Sequence, residues 1–155
     1  MMAEFEEIEN MWKKIFVGRG YREEDFVYNL RREFSVNEEN FTMTAELAVR
    51  INGKNLILSK FERSTRFITP FERRTIAIAR IIDREPFPFV ILTNGDDCVF
   101  MDAINGRSME CAEIPSRDEA VIILGNLRIK EIEEEIEKEK RIFAAIDAIK
   151  CETCE

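Results

Sequence analysis

At 155 residues, with 45% hydrophobic and 35% charged content, the chain has the size and balance of one globular domain, and low-complexity tails or long linkers are excluded. It contains no histidine, so any acid–base or metal chemistry falls to carboxylates, lysine, arginine or thiols. The net charge of −8 argues against a uniformly basic nucleic-acid-binding surface.

No apolar run approaches the roughly 20 residues that cross a bilayer. The opening MMAEFEEIENMWKK is acidic where a secretion signal is basic and then apolar, so a cytoplasmic location without a membrane partner is expected.

In chain order, Phe5, Ile8, Met11, Trp12 and Ile15 recur at three and four residues and predict an amphipathic helix over Glu4 to Phe16, stopped by Gly18 and Gly20. Phe26, Val27, Leu30 and Phe34 repeat that spacing after Glu23, Glu24 and Asp25, which predicts a second helix from Arg22 to about Ser35. FTMTAELAVRI, Asn52-Gly53 and NLILSKF then predict a hairpin closed by a type I′ turn. Thr69, Pro70 and Glu72 have the form of a capping box opening a helix from Pro70 to Asp83. FVILTNG predicts a strand buried on both faces, and CVFMDA its returning partner. A short helix over 117–126, introduced by Ser116, and a long one over 129–149 complete an α/β domain built on a mixed sheet.

Cys98, Cys111, Cys151 and Cys154 are expected to stay reduced in the cytosol, the first two as small buried hydrophobes. A zinc site would need all four. Charge is unevenly spread. Residues 131–155 carry nine acidic and four basic groups, whereas residues 54–84 carry eight basic groups and three acidic ones. Arg73, Arg80 and Arg84 share one helix face, with Arg74 beside them and Arg63 and Arg66 just ahead. Such a stripe suits phosphate tracking, a solvated face, or cover by the acidic tail helix.

The strings GYREEDFVYNLRREF, INGKNLILSK, FERRTIAIARII and PFPFVILTNGDDCVFMDAINGR together resemble the N-terminal domain of type I restriction enzyme R subunits and its small stand-alone relatives. The similarity runs over about residues 15 to 120 and implies the PD-(D/E)xK (restriction-endonuclease-like) core, with the helical region from about 117 to 150 appended to the same single domain. It further implies magnesium held by an acid on the first hairpin strand and by the acid of an E-x-K triplet on the second. Carried over, the first acid is Glu46 and the lysine Lys60, but the triplet's acid falls on Leu58.

Glu72 on the next helix is the candidate second ligand, so the catalytic set is Glu46, Lys60 and Glu72 and the metal set Glu46 and Glu72, with Glu23 or Glu24 as further stand-ins. Each has a plainer role. Glu72 closes the capping box, Glu23 and Glu24 suit a helix first turn, Glu46 suits a solvent-facing strand position, and Lys60 suits an edge. The leading expectation is a nucleic-acid-binding module (DNA or RNA) with a degenerate nuclease site. An active magnesium-dependent nuclease with a relocated acid, and a non-catalytic interaction or dimerisation domain, stand beside it. For the last, Ile129, Ile132, Ile136, Phe143 and Ile146 form a near-heptad stripe, interrupted by Glu139, that packs on the domain or on a twofold partner.

Overall fold

The computed structural model describes the backbone of residues 2–62, 67–126 and 136–152, and the side chains of 6–62, 67–126 and 136–147. Helix α1 (Met2–Val17) leads into three consecutive strands, β1 (Phe26–Val36), β2 (Glu39–Ile51) and β3 (Lys54–Phe61). Helix α2 (Glu72–Ile81) then carries the chain to β4 (Phe89–Thr93), β5 (Cys98–Asp102) and the short β6 (Ser108–Met109). Helices α3 (Arg117–Asn126) and α4 (Ile136–Glu152) follow. The six strands lie in sequential order, β3 and β4 parallel and every other pair antiparallel. The expected α/β class with a mixed sheet is met.

The segment from Arg22 to Ser35 is a correction. Only Glu23–Asp25 is helical, as one 3-10 turn, and Phe26 onward is strand. Its apolar spacing suits a helix face but also alternates: Leu30, Arg32, Phe34 and Val36 are buried or half-buried while Asn29, Arg31, Glu33 and Ser35 are exposed. Ten register pairs with β2, from Phe26 opposite Val49 to Val36 opposite Glu39, decide for the strand. A turn at Asn37 and Glu38, with φ of 52° and 69°, closes this hairpin as Asn52-Gly53 closes the next.

The capping box at Thr69 is also absent. Thr69–Phe71 form a 3-10 turn, α2 begins at Glu72, and neither start has a side-chain cap. Ser116 does cap α3, its hydroxyl accepting from the Glu119 amide while Glu119 accepts from the Ser116 amide.

Two apolar layers sandwich the sheet. Against one face, Trp12, Phe16 and Tyr21 from α1 and its exit meet Leu47, Val49, Ile57, Ile91 and, from α3, Ala120 and Leu124. Against the other, Ile76, Ala77, Ile78 and Ile81 of α2 and Phe143 of α4 meet Met43, Leu58, Val90, Leu92 and Met101. β4 thus feeds both layers, as its unbroken apolar run requires. The α4 stripe packs on the domain: Phe143 is fully buried in an edge contact with Phe34, and Ile136 and Ile146 flank it. Ile129 and Ile132 lie outside the described residues.

A disulfide joins Cys98 and Cys111, correcting the expectation of reduced thiols. The β5–β6 register supplies the reason. Phe100 opposes Met109 and Met101 opposes Ser108, so two residues further along the same ladder Cys98 opposes Cys111, with Cα atoms 6.2 Å apart. Neither sulfur is then a thiolate for zinc, and the side chains of Cys151 and Cys154 lie outside the described residues.

Candidate functional site on the β2–β3 hairpin

Leu47 opposes Ser59 and Ala48 opposes Leu58, so one step further Glu46 faces Lys60 across the two strands. The backbone is irregular at this point. Met43 and Ala45 belong to the α2-side layer, whereas Leu47, Val49 and Ile51 belong to the α1-side layer, so β2 changes face at Glu46. Opposite Glu46 on β1 sits Asn29 with φ 53°, the one position skipped in the β1–β2 ladder. Irregularities of this kind re-aim a side chain that alternation would send elsewhere.

The re-aimed Glu46 accepts the Phe61 amide at 2.7 Å through Oε1, while Oε2 is buried with no hydrogen-bond partner among the described residues. Burial holds its carboxyl above the usual carboxylate range, outweighing the nearby Lys60 charge and the Phe61 N–H. Lys60 is itself buried and donates to Thr44 Oγ1 at 3.0 Å. The sequence suggested an edge or solvent-facing role for both; the structure faces them across the central hairpin instead.

The other candidate acids do not join them. Leu58, where the resemblance expects the triplet's acid, is fully buried in the α2-side layer. Glu72 accepts from Ser108 Oγ at 3.2 Å and lines a shallow cleft with Thr69, Asp97 and Cys98. β6 is four strands from β2 in the sheet. At ordinary spacing that is about 19 Å, too far to share an ion. Glu23 pairs with Lys13 and accepts from Tyr28, and Glu24 pairs with Arg22. Among the described residues, no group of three or more carboxylates or thiols is placed to hold a metal ion.

The arginine stripe is covered. Arg73 makes a two-pronged contact with Glu139 at 2.9 and 2.8 Å, and Arg80 reaches the same carboxylate at 2.8 Å. Glu139, expected to interrupt an apolar seam, is completely buried between them. Arg74, also buried, holds Glu62 at 2.6 Å and Asp147 at 2.7 Å and lies over the Phe143 ring. Arg84 remains exposed, and Arg63 and Arg66 lie outside the described residues.

Glu62 was missed as a site residue. It is buried beside the Glu46–Lys60 pair, and its negative charge raises the Glu46 carboxyl further. Its position two residues beyond Lys60, just past the end of β3 and ahead of an arginine-rich helix, was the available signal. No family model, curated protein or solved structure matches the chain.

Proposed function

We propose that this chain is a non-catalytic module on a restriction-endonuclease-like core, acting by protein–protein binding rather than by phosphodiester hydrolysis. The observation that carries the reading is Leu58. An apolar side chain buried against α2 stands where the resemblance expects the second metal-binding carboxylate, leaving Glu46 opposite Lys60 with the neighbouring Glu62 tied to Arg74. A carboxylate facing an ammonium, with the second acid held by a guanidinium, does not fit magnesium, which needs several hard oxygen donors in octahedral array.

The partner follows from charge. Arg73, Arg74 and Arg80 are spent on Glu139, Glu62 and Asp147, so the helix best suited to phosphate contact presents salt bridges instead of free guanidinium groups. Phosphate binding would have to break pairs that are partly or wholly buried.

Incubation with supercoiled plasmid and magnesium is expected to give no nicking, and mobility shifts with duplex DNA or with RNA no salt-dependent complex. Magnesium-dependent nicking lost in Glu46→Ala would overturn the non-catalytic reading. A salt-sensitive shift lost in Arg84→Ala would overturn the choice of a protein partner.

A further inference from the structure

The sheet ends in two unequal edges. β6 is two residues long, but β1 at the other edge has eleven residues, no proline, and β2 as its sole strand partner among the described residues. A long edge strand is a template for further pairing, and the charges that β1 carries restrict which strand can take it. Its αL residue, Asn29, disturbs the strand ahead of Leu30 and leaves Leu30 to Val36 regular.

We propose that the occupant of this edge is a second copy of the chain, its β1 running antiparallel to the first about a twofold axis at Arg32. This deepens the reading of a protein-binding module by naming the partner. The argument is charge complementarity in one register. A twofold axis perpendicular to a continuous sheet sets a residue opposite itself, and centring on Arg32 sets Arg31 opposite Glu33 of the second copy, and Glu33 opposite its Arg31.

Both side chains are more than three-fifths exposed, at 62% and 67%. They stand on the open face of the strand and within one chain pair with each other. The same register sets Leu30 opposite Phe34 on the inward face. Centring on Arg31 or Glu33 instead places like charges opposite each other on the exposed face and loses both Arg–Glu pairs. The central Arg32 opposes its own copy, but on the inward face, where each guanidinium is drawn to the Ile81 carbonyl of its own chain and so caps the α2 C-terminus. Closure is twofold, so association stops at a dimer with a twelve-stranded sheet.

Sedimentation velocity of the full chain at low salt, up to millimolar concentration, is expected to show a concentration-dependent dimer. Arg31→Glu and Glu33→Arg each replace both intermolecular pairs by like charges and are expected to weaken it by roughly tenfold or more, with unchanged melting. Mixing the two variants restores dimerisation, because both acidic positions of the first variant then meet arginines of the second. A mixture re-forms no intrachain Arg31–Glu33 pair, so restoration reports on the interface alone. A parent that stays monomeric, variants that dimerise like the parent, or a mixture no tighter than its components overturns the proposal. Plasmid nicking would sink the non-catalytic reading while leaving this measurement intact, so the two fail separately.

Discussion

Glu139→Ala removes the carboxylate that two arginines share, and the structure sets the size of the effect. Losing one partner of a buried ion pair costs about 3–5 kcal/mol, because the surviving charge is left desolvated. Two features reduce that here. The Arg73 side chain is 37% exposed, so water recovers part of its solvation. Arg80 keeps the carbonyls of Ala103 at 2.6 Å and Ile104 at 3.2 Å. The expected loss is about 2–3 kcal/mol.

For a chain of this size that lowers the melting temperature by about 4–12 °C. Urea titration followed by far-UV circular dichroism measures the loss directly, with Glu137→Ala as the control. Glu137 is 74% exposed and paired with Lys140 at the surface, so its removal is expected to change stability by no more than about 0.5 kcal/mol. If Glu139→Ala melts with the parent, the clamp is idle and apolar packing alone holds α4.

Phe143→Ala is expected to cost about 3–5 kcal/mol in the same titration, since it empties a fully buried site under Phe34 and Arg74; a loss under about 1 kcal/mol contradicts core membership of α4. Reduction of the Cys98–Cys111 bond, or Cys98→Ser, is expected to cost about 3 kcal/mol from the loop it closes, and equal melts with and without reductant would refute it.

Stability is also expected to fall on the acid side. Burial opposes the charge on Glu139 and Asp25, but hydrogen bonds from Arg73 and Arg80, and from Arg117, hold both carboxyls below the usual range. Their folded-state values therefore lie below unfolded values of roughly 4, so their contribution is present above that pH and lost as pH falls through the folded values. The advantage of the parent over Glu139→Gln should shrink over that window, and a gap independent of pH refutes the assignment. Leu58→Glu is expected to lose about 3 kcal/mol or more without metal and to regain part of it in magnesium, read as a metal-dependent melting shift absent from the parent. No shift in the variant argues against the register drawn from the resemblance.

Local chemistry made much of the fold legible. Asn52-Gly53 fixes the β2–β3 hairpin, FVILT is too short and too evenly apolar for a surface helix, and Ser116 with Glu119 marks α3. β1 was not legible because Phe26, Leu30 and Phe34 satisfy a period of four and a period of two alike, and pairing with β2 chose between them.

The site divides in the same way. Glu46 and Lys60 were reachable only through the resemblance, and the hairpin register brings them face to face. The roles of Glu62 and Glu139 depend on Arg73, Arg74 and Arg80 meeting acids of other elements, Glu139 as far as 66 residues away in sequence, a relation no local window contains. Cys98 and Cys111 became readable as a pair only once the β5–β6 register was known.

The α2–α4 clamp also sets a timetable for biosynthesis. Arg73 meets Glu139 across 66 residues and Arg74 meets Asp147 across 73. Arg74 already has Glu62, but at translation rates of about 5–20 residues per second Arg73 and Arg80 wait roughly 3–13 s for Glu139 to be made. In that interval Arg73 and Arg80 lack their shared carboxylate and the apolar face of α2 that Phe143 will cover is open. Docking of α4 is then the late event that neutralises Arg73 and Arg80 and covers the apolar face of α2, so a chain stalled before residue 139 is expected to stay open to proteases where the finished one resists them.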